Sequence, residues 1–194
     1  MPLTIANKGD RIYIDTNVLV YFFYSKQRGD LSDKAKRFLK EIEKEKFEGI
    51  ISSITLIELI KCLRELLVKF GGIADINKVD EIIGQQLKVL YSINNIHFVE
   101  GYPPKFEISP DVDQLYYSTV SNNSLKLIQA YKGRVLPDYN TGKAEHQGLH
   151  PIDIIHVVLA KQLHCDKIAT FEWNFQETSG EVTPLILQDR YSVW

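Results

Sequence analysis

Asp15, Glu58, Asp153 and Glu172 are the residues whose surroundings give them a chemical use. Asp15 follows the β-prone run Ile12-Tyr13-Ile14 and precedes an apolar stretch, residues 18–24, that reads as a helix. It is therefore expected at the carboxyl edge of a parallel sheet, where open α/β folds place their ligands. Thr16 or Asn17 could cap the helix that follows. Glu58 comes about one turn into a helix leaving a second strand at residues 50–53, with Ser52 or Ser53 as its cap. Asp153 lies in the first turn of a helix over 151–163 opened by Pro151, and Glu172 ends a strand over 167–171. Each has a plainer account: a cap for Asp15, an i,i+3 pair with Lys61 for Glu58, a favourable dipole for Asp153, a turn for Glu172. Brought to one edge without compensation, they would raise one another's pKa values and oppose folding, so their joint placement implies bound cations or shared protons. All-oxygen ligation suits Mg²⁺ or Mn²⁺ and not Zn²⁺.

The elements that must position these residues alternate between strand and helix patterns, so a mostly parallel α/β sandwich is expected. Ser32 is placed to cap a helix over 33–46 whose apolar positions Ala35, Phe38, Leu39 and Ile42 recur at helical spacing. The helix bearing Glu58 carries a wide apolar stripe, Leu56, Leu59, Ile60, Leu63, Leu66 and Leu67. Further helices are expected over 77–92 and 111–131, with short strands at 96–99 and 185–187. Residues 133–150 form a polar Gly- and Pro-bearing segment, read as a substrate-side flap or as flexible padding. His146 and His150 in it are weak evidence for a metal site, and His156, one turn after Asp153, is read as a core residue or a site donor, with the core reading preferred.

With 23 Lys and Arg against 25 Asp and Glu, the formal charge of −2 excludes the broad basic field of a sequence-specific DNA reader, but not an enzyme whose cations offset its carboxylates. Cys62 and Cys165 stand alone, which argues against a disulfide framework or thiolate metal site and for a reducing compartment. No apolar run approaches the ~20 residues needed to cross a bilayer and no secretory signal opens the chain, so a cytoplasmic protein without membrane contact is expected. The 194 residues are read as one domain with an enlarged helical and loop segment at about 71–150.

Ile14-Asp15-Thr16-Asn17-Val18-Leu19 resembles the opening motif of the PIN-domain ribonucleases, and Ser53-Ile54-Thr55-Leu56-Ile57-Glu58-Leu59 their second motif. Asp153-Ile154-Ile155-His156-Val157-Val158-Leu159-Ala160 is similar to the helix bearing their third acid, and the run 168–175 to their closing motif. The order matches. Two departures stand out: the closing motif usually has Asp where this chain has Glu172, and Asn174 stands where a further Asp is frequent. The resemblance implies a PIN-like three-layer sandwich, a mostly parallel central sheet flanked by helices. It also implies a Mg²⁺- or Mn²⁺-dependent endoribonuclease with one or two ions held by Asp15, Glu58, Asp153 and Glu172. Thr16, Asn17, Thr170 and Asn174 would then orient the carboxylates, and Lys61, Arg64, Arg134 and Lys143 are candidates to receive RNA phosphates. An RNA substrate, an antitoxin or other protein partner and a homodimer are expected on the same ground, for a toxin or an RNA-processing enzyme. A non-catalytic RNA- or protein-binding module and a small-molecule phosphohydrolase are the competing expectations.

Overall fold

The computed structural model describes residues 6–24, 29–99, 134–137, 144–147 and 151–187. Strand β1 (Arg11–Ile14) leads into α1 (Thr16–Phe23) and α2 (Gly29–Glu43). Next come β2 (Glu48–Ser52), α3 (Ser53–Lys69), α4 (Ile76–Tyr91) and β3 (Ile96–Val99). After β4 (Arg134–Pro137) and β5 (Ala144–Gln147), helix α5 (Pro151–Gln162) and β6 (Lys167–Thr170) precede a 3₁₀ helix (Trp173–Thr178) and β7 (Thr183–Ile186). One sheet has the order β3-β2-β1-β6-β7, every pairing parallel. The expected α/β class and parallel sheet are what the chain forms.

β1 is central because both its faces are apolar. Ile12 and Ile14 enter a core built with α1, α2, α3 and α4, while Tyr13, on the opposite face, packs with Ile154, Val157, Ile168 and Phe175. Helices thus cover the two faces as separate layers, which is why these strands read as continuous apolar runs. The chain passes from β1 to β2 on one side and returns to β6 on the other, so the carboxyl ends of β1 and β6 flank the point where strand order reverses.

Several local expectations are corrected. Helix α2 starts at Gly29, and Ser32 is fully buried inside it instead of capping it; packing of Leu31 and Ala35 outweighs the cap preference. Asp15 itself caps α1, its side chain accepting from the Thr16 amide, so Thr16 is helical. The segment 133–150, read as a substrate-side flap or flexible padding, contains an antiparallel pair, β4 with β5. The expected helix at 111–131 lies outside the described residues, as do Lys143 and His150. No helix among the described residues is long and apolar enough to cross a membrane.

Candidate active site

Asp15 is held by its own local structure. As the cap of α1 it accepts from Thr16 N–H through Oδ1 at 2.7 Å. Asn17 Nδ2 and the Thr170 hydroxyl each donate to Oδ2 at 2.7 Å. Thr170 closes β6 beside β1, and the Asp15 amide donates to Ala169 O at 3.0 Å, so the register of these two strands sets the carboxylate. Only 4% of Asp15 is exposed. Burial raises its pKa despite the opposing effects of His156, Thr170 and the Thr16 amide, and the neighbouring Glu58 charge raises it further.

Glu58 reaches the same place from α3, which starts where Ser52, the last residue of β2, accepts from the Thr55 amide. Its Oε2 accepts from the Thr16 hydroxyl at 2.8 Å and lies 2.7 Å from His156 Nε2. Burial alone would raise Glu58, but the His156 hydrogen bond and charge, with Thr16, outweigh it and hold the carboxyl below its ordinary value. An ionised carboxylate only accepts, so Nε2 carries the proton. Burial disfavours the imidazolium of His156, yet Tyr13, Glu58 and Asp15 around it hold its pKa well above the ordinary histidine value. His156 Nε2 is 4.0 Å from Asp15 Oδ1, so the ring stands between the two carboxylates.

Of the remaining acids, Glu172 is exposed just beyond β6, where its Oε1 lies 3.4 Å from Asn17 Nδ2 and its amide donates to Thr170 Oγ1 at 3.1 Å. Asn17 Oδ1 accepts from the Phe171 amide at 3.1 Å, which fixes this amide between Asp15 and Glu172. Asp153 is partly buried in the first turn of α5, one turn before His156. Asp15 and Glu58 are thus joined through Thr16 and His156, Glu172 is tied in through Asn17, and Asp153 is carried by the helix that supplies His156. Thr16, Asn17 and Thr170 each hydrogen-bond to Asp15, and Thr16 also to Glu58; Asn174 lies exposed in the 3₁₀ helix. Lys61 is exposed three residues after Glu58. Arg64 is engaged with Asp80 of α4, Nη2 to Oδ1 at 2.6 Å, and Arg134 lies in β4.

His156 is the site residue that sequence reasoning put in the core. It is 1% exposed, so the burial is as expected, but both ring nitrogens face polar partners. The available signal was its i+3 spacing from Asp153, which sets both on one face of α5.

The donor set suits a hard divalent cation, because the carboxylates supply oxygen ligands. A ready-made cage is not present: among the described residues, no three or more His, Cys, Asp or Glu form a group that could hold a metal ion.

Comparison with protein families finds a match to the PIN domain over residues 12–102. Comparison with curated proteins finds no match. Among solved structures, the chain is similar to VapBC2 from Rickettsia felis, solved bound to a DNA fragment from its promoter. The TM-score is 0.51 and the identity 16%, over 89% of this chain and 96% of that one. It is similar also to VapC20 of Mycobacterium tuberculosis, a toxin that cleaves the sarcin-ricin loop, with TM-score 0.50 and 11% identity over 89% of this chain and 97% of that one. At such identities the likeness is one of fold.

Proposed function

From the match of residues 12–102 to the PIN domain we propose that this chain is a metal-dependent endoribonuclease of the toxin type, hydrolysing RNA phosphodiester bonds at the Asp15 edge of the sheet. The observation that carries the reading is the joining of Asp15 and Glu58 through one residue, Thr16, at the strand-order reversal.

Asp15 and Glu58 would hold Mg²⁺ or Mn²⁺, with Asp153 and Glu172 as further ligands to one or two ions. When bound, such an ion supplies an activated water and offsets charge developing on the phosphate during in-line attack. The chain's own residues set the geometry. Thr16, Asn17 and Thr170 fix the Asp15 oxygens, and Asn17 relates them to Glu172. Lys61 is the nearest exposed cation along α3 to receive a phosphate. The reading calls for RNA as substrate, an antitoxin partner, a second copy of the chain and a cytoplasmic setting.

A non-catalytic module that binds RNA or protein is the second reading, favoured by the lack of a three-carboxylate group among the described residues. Incubation of the purified protein with structured and unstructured RNAs and a chromogenic phosphomonoester, in Mg²⁺, Mn²⁺ or EDTA, separates the possibilities. RNA cleavage that EDTA abolishes supports the nuclease. RNA binding without cleavage supports the module, and turnover of the monoester alone points to a phosphohydrolase.

A further inference from the structure

Beneath the two joined carboxylates lie Tyr13, Ser52, Thr55 and His156, with 0%, 0%, 0% and 1% of their surfaces exposed. Buried polar side chains cost free energy unless satisfied, and a core that served packing alone would be at least as stable with apolar residues of similar volume. These four are satisfied by one another. Tyr13 OH lies 2.6 Å from Ser52 Oγ, 3.1 Å from Thr55 Oγ1 and 2.9 Å from His156 Nδ1. The other nitrogen of His156 then meets Glu58 Oε2 at 2.7 Å.

The path is a closed circuit. It leaves α3 at its cap residue Ser52 and at Thr55, crosses to β1 through Tyr13, crosses to α5 through His156, and returns to α3 at Glu58, one turn after Thr55. Three elements are thereby locked to one another through hydrogen bonds that end on a single carboxylate oxygen. That oxygen also accepts from the Thr16 hydroxyl at 2.8 Å, so two donors occupy its two lone pairs. Turning the carboxyl group over exchanges two equivalent oxygens and restores the same two bonds, so the group keeps one orientation. Glu58 is therefore left with one defined oxygen, Oε1, to offer to a ligand.

We propose that Tyr13 and His156 are positioning residues for Glu58: the buried circuit Ser52/Thr55–Tyr13–His156 presets the position from which the free oxygen of Glu58 meets a divalent cation. The inference rests on the nuclease reading only in taking Glu58 as a metal-bearing carboxylate. Partners of this kind, one bond removed from a ligand, commonly govern metal affinity as strongly as activity.

The test is Mn²⁺ binding to the metal-free protein by calorimetry, for wild type, Tyr13→Phe, His156→Leu, His156→Gln and the double variant Tyr13→Phe/His156→Leu, with thermal unfolding and RNA cleavage measured alongside. His156→Leu is expected to weaken Mn²⁺ binding by about 10- to 100-fold, and Tyr13→Phe by less. His156→Gln, which retains an N–H donor, is expected to recover part of that loss. Tyr13→Phe is expected to add nothing once Leu is in place, because the hydroxyl acts through the ring. Additive losses, or unchanged affinity with only a lower unfolding temperature, overturn the inference. Should the His156 variants fail to fold, Tyr13→Phe decides, since it removes a single oxygen and keeps the ring; unchanged Mn²⁺ affinity in it is contrary evidence. A wild type that binds Mn²⁺ but cuts no RNA refutes the nuclease and leaves the positioning role to the variants, whereas cutting with unmoved affinities does the reverse. A wild type without Mn²⁺ binding refutes both.

Discussion

Thr16 serves two carboxylates at once, its amide donating to Asp15 and its hydroxyl to Glu58. Because it is 8% exposed, water cannot readily replace either bond. Thr16→Val keeps the amide and the shape but removes the hydroxyl, so metal-dependent cleavage is expected to fall by about 10- to 100-fold while Thr16→Ser stays near wild type. Cleavage rates for the two variants check this, and equal losses would show that the hydroxyl is not the relevant group. At this scale the sequence was informative wherever the partner is close along the chain or stands beside β1 in the sheet. Asp15, Thr16, Asn17 and Thr170 were all placed at one edge, and they meet there. His156 was legible as a core residue or a site donor and the core reading was preferred, because burial and hydrogen bonding to a site acid leave the same apolar surroundings in sequence. The partner of its Nδ1, Tyr13, is separated from it by 143 positions.

The elements are tied together at the opposite edge of the sheet as well. Lys167 of β6 pairs with Asp10, which precedes β1, and Asp10 also accepts from the Asn7 amide at 2.6 Å. Burial opposes ionisation of Asp10, but the Lys167 hydrogen bond, the Asn7 amide and the Lys167 charge outweigh it and lower its pKa. A carboxyl lowered on folding contributes stability above its unfolded pKa, and that contribution is lost as pH falls through the lower folded value. Wild type should therefore lose thermal stability on acidification below the ordinary carboxylate range more steeply than Asp10→Asn. Parallel acid limbs for the two proteins would contradict the assignment. Arg11 extends the clamp, its amide donating to Asp166 at 2.8 Å and Nη1 to Leu163 O at 3.0 Å. Element type was readable from periodicity, but the start of α2 was not. Ser32 has the chemistry of a cap, yet the helix buries it, because α1 and α2 pack through Leu31 and Ala35 and continue the apolar face toward Gly29.

At the scale of the whole molecule, strand order decides where the chemistry lies. Alternating strand and helix patterns announced a parallel sheet; the order β3-β2-β1-β6-β7 follows from long-range pairings that no local pattern encodes. That order places β1 between β2 and β6, so Asp15 after β1, Glu58 after β2 and Glu172 after β6 share one edge. A cation bound by the folded state and not by the unfolded chain stabilises the fold by mass action, about 2.7 kcal/mol at a concentration of about 100 times Kd. Mn²⁺ is accordingly expected to raise the unfolding temperature of the EDTA-treated protein, and to raise that of Asp15→Asn much less. Equal shifts would place the bound ion elsewhere. The central claim is tested most directly by single-turnover cleavage of RNA in Mn²⁺ by wild type and by Asp15→Asn, an isosteric change that keeps a side-chain oxygen to cap α1. The account predicts cutting by wild type and a loss of at least about 100-fold in the variant, in line with removal of a metal-bearing group. Cleavage at the wild-type rate by folded Asp15→Asn would contradict it.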